Sequence, residues 1–119
     1  RGILPVLESG GTMLGAFDDD GSLVGFAVLR YELAERTAQL DALFVSNGYR
    51  RRGIATTLLS RAVGLARADG ADWLYVSATP SESAVGFYFS QGFRLAEDVN
   101  EELYLLEPED IHMIRSLAY

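Results

Sequence analysis

The chain has no cysteine and no lysine, one histidine, one tryptophan and three prolines in 119 residues. Without cysteine there is no thiol nucleophile, thiolate metal site or disulfide. Without lysine the segment cannot form a Schiff base through a side-chain amine; all ten basic residues are arginine. No apolar run approaches the roughly 20 residues that a membrane helix requires. The apolar part of residues 1–10 is too short for a signal peptide. The expectation is a cytoplasmic protein with no membrane partner, and the absence of cysteine agrees with a reducing compartment. Basic charge is also scarce: 17 acidic residues against 10 basic ones leave a net charge of −7. A domain this acidic is poorly suited to nucleic acid, whose backbone demands a basic face. Three adjacent arginines, Arg50, Arg51 and Arg52, stand out against that background.

What is present is a globular composition. At 49% hydrophobic the chain is too apolar for disorder, and its length suits one core, so residues 1–119 are read as a single domain. Residues 3–7 read as a short edge strand, limited by Pro5, or as a tether. Thr12–Phe17 reads as a strand. Asp18-Asp19-Asp20-Gly21 follows as a hairpin turn, since it lacks the regularly spaced further ligands of a calcium loop. Residues 22–31 are apolar on both faces, as in a central strand, and residues 32–36 turn the chain. Thr37–Val45 is the third strand of an antiparallel meander. Strict alternation puts Ala38, Leu40, Ala42 and Phe44 on one face and Gln39, Asp41, Leu43 and Val45 on the other.

Ile54, Leu58, Leu59, Ala62, Leu65 and Ala66 recur at helical spacing, and Asp69-Gly70 ends that helix. Trp73–Ala78 reads as a strand parallel to the one before the helix, joined by the usual crossover, with Trp73 packed beside the long helix. Ser81 is placed to cap a second helix carrying Ala84, Val85, Phe87 and Tyr88, which Gly92 ends. Residues 93–96 read as a strand, Glu101–Leu106 as a helical turn, and residues 110–117 as the last strand. The fold class is α/β (α+β), with a mixed, mostly antiparallel sheet flanked by helices.

The stretch between the third strand and the long helix carries the chemistry. A helix that begins at a glycine turn presents unpaired N–H groups and the positive end of its dipole. That arrangement suits phosphate, and flanking arginines add forked donors. Arg50-x-x-Gly53-x-Ala55 is therefore read as a pyrophosphate cradle.

Two motifs in order strengthen that reading. Arg50-x-x-Gly53-x-Ala55 is followed by Ser81-x-x-Ala84-Val85-x-Phe87-Tyr88-x-x-x-Gly92-Phe93. Together they resemble the GNAT superfamily of acyl-CoA N-acyltransferases, over about residues 11–119. The resemblance implies acetyl transfer from acetyl-CoA, with no metal, to a primary amine on a small molecule or a protein by direct attack in a ternary complex. It implies that residues 40–45 and Trp73–Ala78 splay apart and admit the pantetheine arm. Leu43, Phe44 and Val45 would pair with that arm through their backbones, and Ser81 would contact it. Arg50, Arg51, Arg52, Gly53, Ile54, Ala55 and Thr56 would hold the pyrophosphate, with one arginine free to reach the ribose phosphate.

By the same resemblance Tyr88 would protonate the leaving thiolate. Asp41, on the face shared with Leu43 and Val45, would take the proton of the amine, ahead of Asp18–Asp20 and Glu101–Glu102. His112 is read as structural. Ser81 stands where the family usually has asparagine. Family members also carry a strand and two helices ahead of the Thr12 strand, which these residues lack. The acceptor wall is then expected from a longer protein, from another subunit such as a homodimer partner, or not at all. The alternative function is a CoA-binding sensor or docking module with little or no catalysis.

Overall fold

The computed structural model describes Leu7, residues 10–50 and residues 52–118. Except for Leu7, the stretch read as an edge strand or tether at residues 3–7 lies outside these. Six strands form one sheet: β1 (Thr12–Phe17), β2 (Leu23–Ala34), β3 (Thr37–Val45), β4 (Trp73–Ala78), β5 (Arg94–Leu95) and β6 (Ile111–Ser116). Their spatial order is β1-β2-β3-β4-β6-β5. Only the β3–β4 pair is parallel, as the crossover through α1 (Ile54–Ala68) requires. Helix α2 (Glu82–Ser90) follows β4, and α3 (Glu101–Leu106) joins β5 to β6.

Helix α1 forms because its apolar residues share one stripe. Leu58, Leu59, Ala62, Val63 and Ala66 are all buried. A fully buried leucine contributes roughly 1.5–3 kcal/mol, while Ala62 and Ala66 let the helix lie close to the sheet. The helix closes where Gly70 N–H meets the Arg67 carbonyl and Ala71 N–H meets the Ala66 carbonyl, a glycine-terminated cap. The stripe packs on Ala27, Leu29, Ala38, Leu40, Leu74 and Val76, and α2 adds Tyr88 to the same core. Both helices therefore cover one face of the sheet. On the far face the Tyr75 hydroxyl accepts from the N–H of Asn100, at the start of α3, and lies 2.6 Å from His112 Nδ1. His112 is buried there, and burial lowers its pKa.

Four expectations change. Strand β2 runs on to Ala34, and the turn is compressed to Glu35-Arg36, with Arg36 at φ 52°. Strand β5 keeps only Arg94 and Leu95. Trp73 is half-buried on the face opposite Leu74, under the Arg94 guanidinium, and not beside α1.

The fourth change matters most for the site. Leu29 pairs with Leu40 and Val28 with Ala42, so Asp41 is the extra residue of a β-bulge. A bulge shifts the alternation by one. Leu43 joins the core beside α1, and Phe44 turns to the far face against Phe26, with ring centroids 5.5 Å apart. Asp41 stays with Gln39, whose Nε2 donates to its Oδ1 at 3.4 Å. Asp41 thus does not share a face with Leu43 and Val45.

Candidate functional site

Strands β3 and β4 pair from Thr37↔Trp73 to Leu40↔Val76 and no further. Beyond the bulge they part, and residues 42–45 keep only their β2 partners. The parting opens a wedge of about 530 Å³. Its β3 wall is Leu43, Phe44 and Val45, and its floor is the turn and first residues of α1: Tyr49, Arg50, Gly53, Ile54, Ala55 and Thr56. The opposite wall is Thr79 with Ser81, Ser83, Ala84, Phe87 and Tyr88 at the start and inner face of α2.

The floor is built to attract an anion. Gly53 precedes α1 at φ 78°, ψ 6°, a left-handed conformation that glycine adopts without strain. A Cβ placed there would meet nothing within 4 Å, so the backbone shape is what calls for glycine. No side chain caps the helix start, and its first turn contains no acid. Its first amides therefore face outward unclaimed, with the positive end of the dipole behind them. Gly25 braces the wedge from below, since a Cβ there would sit 2.9 Å from the Phe44 carbonyl and 3.2 Å from Ile54. Only glycine lets β2 approach that closely.

Tyr88 closes the inner end. Its ring is held edge-on between Phe87 and Phe93, with centroids 5.4 Å and 5.2 Å away. Burial pushes its hydroxyl up to about 12, so it keeps its proton throughout the neutral range. Its side chain lines the wedge at that end. Ser81 caps α2 by accepting from Ala84 N–H at 3.2 Å, and it lines the wedge as well.

The wedge therefore brings together Leu43, Phe44, Val45, Arg50, Gly53, Ile54, Ala55, Thr56, Ser81 and Tyr88. Arg52 lies just outside, lining a neighbouring cavity with Arg61 that shares Gly53 and Ile54 with the wedge. Arg51 lies outside the described residues. Asp41 is not among the lining residues; the bulge places it at the point where the strands part, on the far face. Tyr49, Thr79, Ser83, Ala84 and Phe87 complete the lining and were not anticipated as site residues. Ala84 and Phe87 could have been found, since they are one helical turn from Ser81 and Ala84 respectively. Among the described residues no three His, Asp or Glu side chains gather as a metal site.

The model of the acetyltransferase (GNAT) family matches residues 5–93. N-alpha-acetyltransferase 50 of Danio rerio is 35% identical over 69 residues, which is 56% of this chain and 41% of that protein. The chain thus spans about two-fifths of that curated relative's length. A GNAT-family acetyltransferase from Staphylococcus aureus superposes with a TM-score of 0.81 at 26% identity, over 94% of this chain and 71% of its own. Nourseothricin acetyltransferase gives 0.78 at 24% identity, over 93% and 68%. The PaiA N-acetyltransferase of Thermoplasma acidophilum, solved in complex with coenzyme A, gives 0.74 at 22% identity, over 96% and 67%.

Proposed function

The chain belongs to the acetyltransferase (GNAT) family, and on that footing we propose that it transfers an acetyl group from acetyl-CoA to a primary amine by direct attack in a ternary complex. The observation that carries this is the wedge, which joins an uncapped helix start at one end to a buried, protonated tyrosine at the other. The donors fit the cofactor. Arg50 and the open amides of α1 would hold the pyrophosphate, each hydrogen bond to a charged group contributing roughly 1.5–3 kcal/mol. The free edge of β3 at Leu43, Phe44 and Val45 would pair with the amides of the extended arm. Acetyl-CoA supplies an activated thioester when bound; the protein supplies position, and position is much of the catalysis of a two-substrate reaction.

The chain's own groups then account for the protons. An unpaired N–H of β3 would donate to the carbonyl oxygen as negative charge builds there. The amine nitrogen forms the new C–N bond, the C–S bond breaks, and Tyr88 gives its proton to the departing sulfur. Asp41, at the parting of the strands, takes the proton lost by the amine through a water. The acceptor is a small-molecule or protein amine, and the net charge favours a cationic one.

One observation favours a second reading, a CoA-binding module with little turnover: none of the residues lining the wedge is Asp, Glu or His. Calorimetric titration with acetyl-CoA, with ATP as control, followed by thiol release with a panel of amines, separates the two. Micromolar acetyl-CoA binding with amine-dependent thiol release supports transfer. Binding without release under any amine supports the module, and equal binding of ATP removes both. Tyr88→Phe should lower turnover by about 100-fold or more while leaving acetyl-CoA affinity in place. Unchanged turnover would return Tyr88 to a packing role.

A further inference from the structure

The acidic turn between β1 and β2 has no part in the chemistry above, yet it reaches the cofactor loop. Oδ1 of Asp18 accepts from the N–H of Asp20 at 3.0 Å and of Ser22 at 2.9 Å, which fixes the carboxylate on its own turn. Oδ2 accepts from the Tyr49 hydroxyl at 2.9 Å, across 31 residues of sequence. Tyr49 ends the short 3₁₀ turn Asn47–Tyr49 just before Arg50. Its ring lies under the Arg52 guanidinium, 5.1 Å from centre to carbon, and it lines the wedge. The turn has few bonds of its own: Tyr49 N–H to the Ser46 carbonyl at 2.9 Å, and Arg50 N–H to the Asn47 carbonyl at 3.5 Å. Segments so sparsely bonded open readily. The Tyr49 hydroxyl is a side-chain link that ties this one to the turn between β1 and β2.

We propose that Asp18 is a positioning residue for the cofactor loop: through Tyr49 it holds Arg50 and the turn at Arg52-Gly53 in the shape that presents Arg50 and the open amides of α1 to a pyrophosphate. This rests on the acyl-CoA reading above. Asp18 touches no ligand itself. It removes part of the ordering cost that binding would otherwise meet. Its carboxylate is held below the usual range by the Ser22 N–H and then by the Tyr49 hydroxyl, so it is an ionised acceptor at neutral pH, the stronger kind.

The test is calorimetric titration of acetyl-CoA into the unaltered chain, Asp18→Asn, Tyr49→Phe and the double variant, with hydrogen exchange of amides 50–56 in each ligand-free protein. Asp18→Asn keeps Oδ1 for Asp20 and Ser22, and with it the turn, but replaces the second acceptor oxygen by a donor. Tyr49→Phe keeps the ring under Arg52 and removes only the hydroxyl. Each single variant should weaken acetyl-CoA roughly fivefold and speed exchange, and the double should be no weaker than either. Wild-type affinity in Asp18→Asn would assign the carboxylate to the turn alone and overturn the proposal, as would additive losses in the double variant. If the unaltered chain binds no acetyl-CoA, the cofactor reading falls, and exchange then decides the positioning role. Unchanged exchange in Asp18→Asn ends it; faster exchange sustains it.

Discussion

The helix starts of α1 and α2 form the floor and one wall of the same wedge, yet they are built in opposite ways. At α2, Ser81 accepts from Ala84 N–H and Glu82 sits in the first turn. Helix α3 repeats that pattern, with Asn100 as cap and Glu101 and Glu102 behind it. Both starts satisfy their own donors and complement their own dipoles, each device contributing some tenths of a kcal/mol to about 2 kcal/mol. Helix α1 forgoes both. Its N-cap is a left-handed glycine with no side chain, and its first turn has no acid. The longest helix is the one with the least self-sufficient beginning. On the acyl-CoA reading, stability is given up at the start that is to meet the phosphates and kept at the two that are not.

The largest expected effect comes from placing a negative charge at the open start. Gly53→Glu should abolish acetyl-CoA binding, a loss of at least ~100-fold. It should leave the fold intact, since a Cβ at Gly53 meets nothing within 4 Å and left-handed strain for an ordinary residue is only about 1–2 kcal/mol. Calorimetry beside a circular dichroism spectrum measures both. Binding at wild-type strength in the folded variant would remove α1 from the site.

Thr56→Glu sharpens the comparison, because Thr56 is exposed in the first turn. The acid should stabilise α1 by about 0.3–1 kcal/mol, raising the midpoint of thermal unfolding, while acetyl-CoA binds about tenfold more weakly. Stability and affinity moving in the same direction would break the contrast between the helix starts. The smallest effect belongs to Asn100→Ala. Losing the Leu103 N–H cap should cost about 1 kcal/mol of stability and leave acetyl-CoA affinity unchanged, since α3 does not line the wedge.

Alkaline unfolding tests the tyrosine that closes the wedge. Tyr88 titrates near 10 in an unfolded chain and near 12 in the fold. The unfolded state therefore loses its proton first. The stabilisation is complete below pH 10 and is lost as pH rises from about 10 to 12. Tyr88→Phe should flatten that segment of a stability–pH curve, and a curve unchanged by the substitution would show that the phenol is not buried as described.

Features encoded locally were legible in the sequence. The helix starts and stops, the hairpin at Asp20-Gly21 and the two motifs around Gly53 and Tyr88 depend on neighbours within a few residues. They yielded the family and the sheet order around α1; of the site residues named in advance, Asp41 and Arg52 lie outside the wedge lining, Arg51 lies outside the described residues, and the others line it. The bulge was not legible, because one extra residue carries no signature of its own in Leu40-Asp41-Ala42. That single insertion moved Leu43 into the core and Phe44 to the far face, while Asp41 stayed with Gln39. Trp73 was misplaced because its size suggested the main core, whereas strand parity put it under Arg94. The bond between Asp18 and Tyr49 joins positions that only the folded sheet brings together.

The parting of β3 from β4 has a further consequence. It creates a strand edge in the interior of a sheet, where edges are normally closed by a neighbour. An extended ligand entering there is greeted by peptide groups, which every residue except proline carries in full. Recognition of that kind is indifferent to side-chain identity. Leu43 is held by the core, but Phe44 is half-exposed, so what this edge would present beside a second substrate can change while its peptide groups stay the same.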